Sequence, residues 1–423
     1  MMSRFSKVTP EGSYVPPPPA NAKASYATML FVRADIVRNS GGVLSKAATI
    51  AVRYAAVRRQ TAPGPGQREL QVLDYQNVAN TLIGLVGSAY ACWFMGLEMQ
   101  ARYQRFEADR DKGVFSDLPE LHALSSGLKA TCTGTTADGI EAARRCCGGH
   151  GYSALSGLPR LFASYVQNVT WEGDNNVLYL QTARYLLKAL AAGQSGKPVG
   201  GSAAYLGQLQ QELRSSCSAR GADCWGNPAL ALAALRHRAA RLAVSGAATL
   251  QAASSGARAP LKFEGPAWNS STVSQIAMAK AHTEMVLLQT FMDTLQQARD
   301  AGSLSPPVLA VLGRLCCLFG LGLVEAGSGD LLEAGWMTGE QAAAARTQHR
   351  ALLAALRPEA VGLVDAFGWE DYALNSALGR QDGDVYKALL DMATVSPLNR
   401  TQQGPAWESV LKPVLHRKPL PKL

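Results

Sequence analysis

The amino-acid sequence predicts an all-α protein made of two helical bundles, and three observations carry that expectation. Of its 423 residues, 47% are hydrophobic and 17% charged, enough apolar side chain to bury a sizeable core. Alanine and leucine recur while aromatic residues make up only 7%, a bias toward side chains that lose little freedom in a helix. Apolar residues return at helical spacing over long stretches, whereas strand-like alternation is sparse. Only the extended piece from Tyr14 to Pro19 argues against an entirely helical chain.

The elements follow in order. Residues 1–28 form a non-helical lead-in, because the consecutive prolines Pro16 to Pro19 lack the N–H groups a helix needs. From Met29 the pattern turns helical: Leu44, Ala47, Ala51 and Tyr54 share one stripe, Arg58 continues it, and Pro63-Gly64-Pro65-Gly66 ends it. Val78, Leu82, Leu85, Ala89 and Trp93 mark a second long helix that ends in the charged run from Glu107 to Lys112. A third is expected over 123–130 and another over 136–147, stopped by Gly148 and Gly149. Residues 176–190 are apolar nearly all round, which places them inside a bundle.

Between Ala192 and Ser202 stand four glycines, two serines and a proline, the composition of a linker. The chain therefore divides into the lead-in, a first bundle over 29–191, a linker over 192–227 and a second helical domain over 228–423. In the last, Ala277, Ala281, Met285, Leu288, Met292 and Leu295 share a stripe, and Pro306-Pro307 opens the next helix.

A net charge of +9 favours anionic partners, such as the phosphates of a nucleotide cofactor. The basic residues are scattered and not interleaved with aromatics, so nucleic acid is not expected as a partner. Eight cysteines include the adjacent pairs Cys146-Cys147 and Cys316-Cys317 within apolar helical patterns, which points to a reducing compartment. With no C-x-x-C pair and no H-E-x-x-H pattern among six histidines, no metal is expected. Neither a secretory leader nor an uninterrupted apolar run of bilayer length is read, so no membrane span is expected. The final Pro421-Lys422-Leu423 differs by one residue from the S-K-L tripeptide of peroxisomal import.

Chemistry concentrates in three adjoining pieces: Cys147-Gly148-Gly149-His150-Gly151-Tyr152, Ser156-Gly157-Leu158-Pro159, and Thr170-Trp171-Glu172-Gly173-Asp174-Asn175. Paired glycines after a helix either stop it or let a large ligand approach the bare backbone. Glu172, between Trp171 and an apolar helix, reads as a partly desolvated carboxylate fit for a general base, or as a polar turn residue before a capped helix. Asp174 and Asn175 are good N-caps, and the helix they open offers backbone N–H groups to an anion such as a pyrophosphate.

The same stretch resembles the peroxisomal acyl-CoA oxidase family, whose members show C-G-G-H-G-Y, a G-L-P turn and an aromatic-E-G-acid-N motif leading into V-L-x-x-Q-x-A-R. Here that last motif is Val177, Leu178, Gln181, Ala183 and Arg184. Segments 54–60 and 118–124 upstream, and Val364-Asp365-Ala366-Phe367, Leu378-Gly379-Arg380, Asp382-Gly383 and Ser396-Pro397-Leu398-Asn399 downstream, are similar to the family too.

The resemblance implies two helical bundles like the C-terminal domains of acyl-CoA oxidase, the lead-in being a remnant of a β domain. It implies FAD as cofactor, fatty acyl-CoA and O2 as reactants, and trans-2-enoyl-CoA and H2O2 as products, the first step of peroxisomal fatty acid β-oxidation. Glu172 would take the Cα proton while a hydride leaves Cβ for the flavin. Arg58 would reach the FAD pyrophosphate, commonly across a subunit interface, Gly148 and Gly149 would approach the adenine half, and Asn175 would lie near the same pyrophosphate. Arg145 stands where many relatives carry a cofactor-bonding glutamine. A homodimer, the peroxisome and its import receptor are the implied partner and location. Cys146, Cys147, His150, Asp365 and Arg380 keep structural readings. Full-length members begin with a helical and a β domain, of which the first and most of the second are expected to be absent from this chain, so alone it is expected not to hold FAD tightly. The alternatives are a non-catalytic helical dimerisation fragment and an acyl-CoA dehydrogenase.

Overall fold

The structure, a computed structural model, describes residues 7–16, 24–254 and 263–416, with the backbone alone for 24–28. The prolines after Pro16 and the terminal Pro421-Lys422-Leu423 lie outside the described residues. The first apolar stripe becomes the 34-residue helix α1 (Ala24–Val57), with Leu44, Ala47, Ala51 and Tyr54 all buried. It lies against α2 (Gln76–Arg110) and α3 (Leu118–Cys146). The α1 and α2 backbones nearly touch: a Cβ on Gly96 would sit 2.5 Å from the Arg38 Cα, and one on Gly41 would sit 2.5 Å from the Trp93 N. Only glycine permits that approach.

Short strands were largely missed. Lys7–Val8 (β1) pairs antiparallel with Tyr14–Val15 (β2), and Arg59–Gln60 (β3) with Leu70–Gln71 (β4), so the Pro-Gly repeat links two strands of a small hairpin.

Residues 118–146 form one helix where two were expected. The run Thr131-Cys132-Thr133-Gly134-Thr135 reads as a break, yet Thr133 bonds back to the Lys129 carbonyl at 2.7 Å and Thr131 meets Thr283 at 2.6 Å. With their hydroxyls satisfied inside the bundle, these threonines do not divert the backbone. Gly148, at φ +57 just past the Cys147 cap, ends α3 as expected, and the chain turns into α4 (Gly148–Tyr152), followed by α5 (Leu158–Tyr165) and α6 (Asn175–Gln194). α6 is not enclosed all round. Leu178, Ala183, Leu186 and Leu190 are buried, whereas Val177, Gln181, Arg184 and Lys188, one helical stripe, line a cleft.

Residues 192–227, expected as a linker, are not a solvated tether. They hold a 3-10 segment over 201–208, α7 (Leu209–Arg214) and a 3-10 turn over 223–226, and they bury Ala203, Tyr205, Leu206 and Trp225. Tyr205 stacks on His282, and the Trp225 carbonyl accepts from the Cys317 thiol at 2.9 Å. Aromatic anchors override the glycine-rich composition.

The remaining α-helices among the described residues are α8 (Pro228–Ala253), α9 (Gly265–Ser270), α10 (Thr272–Asp300), α11 (Pro306–Ala326), α12 (Ser328–Glu333), α13 (Gly339–Leu356), α14 (Ala360–Asp365), α15 (Asp371–Leu374), α16 (Val385–Thr394) and α17 (Lys412–Leu415). α10 packs against α8, α6 and α2, so the core is continuous between early and late helices. Contrary to expectation, α2 and α11 are long and apolar enough to cross a membrane by length and composition. Their Leu, Val, Phe, Ala and Cys residues raise mean hydropathy, and helices pack against them: α1, α3 and α10 against α2, and α8, α10 and α13 against α11.

Candidate active site around Glu172

After α5 a 3-10 turn leads to Trp171, whose indole N–H donates to the Asn168 Oδ1 at 2.8 Å. The chain then enters the left-handed region twice in succession, at Glu172 (φ +53) and Gly173 (φ +112). At residue 173 only glycine serves, since a Cβ there would fall 2.7 Å from the Leu178 Cδ2. Asp174 closes the turn by accepting the Asn176 N–H at 2.9 Å as the N-cap of α6, as expected.

Two buried cations stand behind this turn. Arg33 of α1 donates from Nε and Nη2 to the Glu172 carbonyl at 3.3 and 3.1 Å, and from Nη1 to the Ser126 Oγ at 3.1 Å. Lys129 of α3, fully buried, donates to the Gly173 carbonyl at 2.8 Å and to the Asn175 Oδ1 at 3.0 Å. Burial, then the neighbouring Arg33 charge, bring the Lys129 ammonium down to about 8, against the pull of Asp174 and Glu172. Burial likewise lowers Arg33, partly offset by Glu172, and burial with Arg33 lowers His122. Sequence reading named neither cation. The signal that marks Lys129 is its place on a stripe of small, uncharged residues, Ser125, Ser126, Cys132 and Thr133, all buried.

Beside the turn opens a cleft of about 710 Å³, lined by the apolar Met29, Phe115, Leu118, Val177 and Leu178 and also by Gly173, Arg33, Arg184 and Lys188. Glu172 itself is exposed, which corrects the expectation of a desolvated carboxylate. The shielding assigned to Trp171 is not delivered, because that indole is itself 49% exposed and bonded away to Asn168.

The expected cofactor residues fall into two neighbourhoods. Asn175 sits with Glu172, but its amide is committed: Nδ2 donates to the Ala130 carbonyl and the Thr133 Oγ1 at 3.1 and 3.0 Å, and Oδ1 accepts from Lys129. What remains for a ligand there is backbone N–H. Arg58, just past the far end of α1, donates to the Tyr386 hydroxyl at 3.1 Å, a bond that raises its pKa. Gly148 and Gly149 belong with Arg58, because the Tyr54 hydroxyl one turn earlier meets the His150 Nδ1 at 2.9 Å. A Cβ at Gly148 or Gly149 would meet nothing within 4 Å, so this backbone is open to an approaching group.

Arg33 and Arg58 are separated along α1 by roughly 37 Å at 1.5 Å per residue. One chain therefore does not bring Arg58 and Asn175 together, in keeping with an Arg58 expected to act across a subunit interface. Arg145, in place of the expected glutamine, pairs with Glu141 at 2.9 Å on the surface. The structural readings hold for His150 through Tyr54, for Asp365 through Arg53 at 2.8 Å, for Arg380 through Asp382, and for Cys147 through burial, while Cys146 is half-buried.

Two family models match the chain: "Acyl-CoA oxidase, C-alpha1 domain" over residues 26–187 and "Acyl-CoA oxidase" over residues 227–416. The peroxisomal acyl-coenzyme A oxidase 1 of Phascolarctos cinereus is 39% identical over 98% of this chain and 61% of its own length. That of Arabidopsis thaliana is 40% identical over 99% of this chain and 61% of its own. Among solved structures, Arabidopsis thaliana acyl-CoA oxidase 1 aligns with a TM-score of 0.88 at 40% identity, covering 97% of this chain and 61% of that one. Acyl-CoA oxidase-1 of Caenorhabditis elegans, complexed with FAD and ATP, aligns at 0.86 and 32% identity, covering 98% and 60%. The chain thus spans about three-fifths of the length of the relatives it matches. Helical architecture, the Glu172 turn and likeness along the whole chain agree, and the protein belongs to the acyl-CoA oxidase family.

Proposed function

We propose that this chain is the helical part of an FAD-dependent acyl-CoA oxidase and carries its base, Glu172. The reaction is oxidation of a fatty acyl-CoA to the trans-2-enoyl-CoA with reduction of O2 to H2O2, the opening step of peroxisomal fatty acid β-oxidation. One observation carries the reading: Glu172 sits on a constrained left-handed turn beside an apolar cleft edged with cations. The apolar walls suit an acyl chain, and Arg184 and Lys188 suit the phosphates of a CoA. A carboxylate on the turn whose Gly173 lines the cleft can take a proton from the thioester α-carbon once the substrate excludes water from it.

The open backbone at Gly148 and Gly149 and the accessible guanidinium of Arg58 fit an adenine nucleotide with a pyrophosphate, and the N–H groups opening α6 fit the other end of FAD. When bound, FAD accepts the hydride and hands the electrons to O2. Because Arg58 and Asn175 lie at opposite ends of α1, the arrangement favours a homodimer in which each chain completes the FAD site of the other. A peroxisomal location, with the import receptor reading Pro421-Lys422-Leu423, accompanies the proposal.

The test is a chimera in which this chain replaces the matching part of the Arabidopsis thaliana oxidase. It should bind flavin and form peroxide from fatty acyl-CoA, and Glu172→Gln should lower that rate by about 10³-fold. Peroxide formation within tenfold of the parent chimera would remove the base from Glu172. The exposure of Glu172 favours a second reading, a non-catalytic helical module; a chimera that folds and dimerises without binding flavin would select it.

A further inference from the structure

We propose that Arg33 and Lys129 are positioning residues, two buried cations that grip the consecutive carbonyls of Glu172 and Gly173 and so lock the base-bearing turn in its left-handed form. The proposal rests on the reading of Glu172 as the base only for its purpose; the grip itself is geometric.

Two successive residues with positive φ, one of them a glutamate, form a conformation the backbone does not choose alone. It persists only where the surroundings over-determine it. Here those surroundings are two side chains from different helices. Arg33 of α1 spends two of its N–H groups on the Glu172 carbonyl. Lys129 of α3 reaches the next carbonyl and, through the Asn175 Oδ1, ties the turn to the first residue of α6. Serine or asparagine could supply a neutral donor at either place. A charged donor makes a bond roughly twice as strong, and it is costly to bury without a carboxylate. Among the described residues, the hydrogen-bond partners of both cations are carbonyl, hydroxyl and amide oxygens. Stability of the bundle alone does not call for that arrangement, whereas a base that must keep one orientation at a cleft mouth does. With both carbonyls held inward, the Glu172 side chain is left on the outer side of the turn.

Hydrogen exchange of the chain as it stands reads the grip without flavin or acyl-CoA. In Lys129→Met and in Arg33→Gln, amides 171–176 should exchange at least about tenfold faster while those of α8 and α10 stay as in the parent, and Arg33→Lys, which keeps a charged donor, should recover part of the protection. If Lys129→Met does not fold, Lys129→Gln takes its place with the same expectation. Unchanged exchange at 171–176 in the folded variants, or loosening spread evenly over α3 and α6, overturns the proposal and leaves the Glu172 assignment untouched. Faster exchange confined to the turn together with full activity of Glu172→Gln in the chimera would instead keep the grip and sink the base.

Discussion

Arg238 and the pair Arg33 and Lys129 are all cations taken out of water, yet the two regions treat them in opposite ways. Arg238 on α8 is met by two carboxylates, Glu284 and Asp330, each at 2.6 Å. Burial pulls its pKa down, but the Asp330 and Glu284 bonds outweigh it and the net shift is upward. Arg33 and Lys129 are met by carbonyl, hydroxyl and amide oxygens, and both are shifted downward by burial. A matched charge serves the scaffold. Charges with no carboxylate hydrogen-bonded to them, aimed at two consecutive carbonyls, hold the turn at Glu172 and Gly173 instead.

The contrast breaks most visibly at Arg238. Arg238→Met would leave Glu284, only 12% exposed, without its guanidinium and Asp330 without its neighbour. Removing one partner of a buried pair costs about 3–5 kcal/mol, and the partial exposure of Asp330 places this case near the lower bound, about 3 kcal/mol. Urea denaturation at neutral pH measures it. A loss below about 1 kcal/mol would show that Arg238 is no more integral to the scaffold than a surface pair.

Lys129 should behave differently because its charge is itself a burden. Its pKa falls from 10.5 in the unfolded chain to about 8 in the folded one. Below about 8 both states hold the proton and the penalty is fully present. Between there and 10.5 the unfolded chain binds more protons than the folded one, so stability rises with pH. The rise attributable to this group is about 3 kcal/mol. Lys129→Met removes that penalty and also two hydrogen bonds, which nearly cancel, so the variant should lie within about 1 kcal/mol of the parent at pH near 7. Compared at successively higher pH, the parent should gain on the variant. A difference that stays flat with pH would mean that Lys129 is not a penalised cation.

How much of this was legible in the sequence depended on whether the partners were local. The stripe Leu44, Ala47, Ala51 and Tyr54 announces α1 because its period is written in adjacent turns. Asp174 announces the start of α6 for the same reason. α3 was split because Thr131 and Thr133 look like breakers until their partners appear, and Thr283 is far along the chain. Lys129 and Arg33 looked like ordinary helix residues, since what singles them out is a turn over 40 residues away for one and over 130 for the other. Tyr386, which holds Arg58, is more distant still. Glu172 was found by motif, but neither its left-handed backbone nor its exposure was, since glutamate carries no signal of positive φ.

That backbone gives the smallest of the expected effects and the one with the clearest sign. At an ordinary helical or extended position, glycine is less stable than alanine by roughly 0.5–1 kcal/mol, because it has more freedom to lose. At φ +53 the Cβ of any other residue crowds the following carbonyl, a cost of about 1–2 kcal/mol that glycine avoids. Glu172→Gly should therefore be more stable than Glu172→Ala by about 0.5–1 kcal/mol, the reverse of the usual order. Both substitutions remove the same carboxylate, so any change in charge near Arg33 and Lys129 is common to them and drops out of the difference. Thermal unfolding of the two variants side by side reads it. Alanine equal to or better than glycine would mean that the turn carries no strain for the cations to hold, whereas the predicted order would show that residue 172 is kept on a backbone that the chain's own stability opposes.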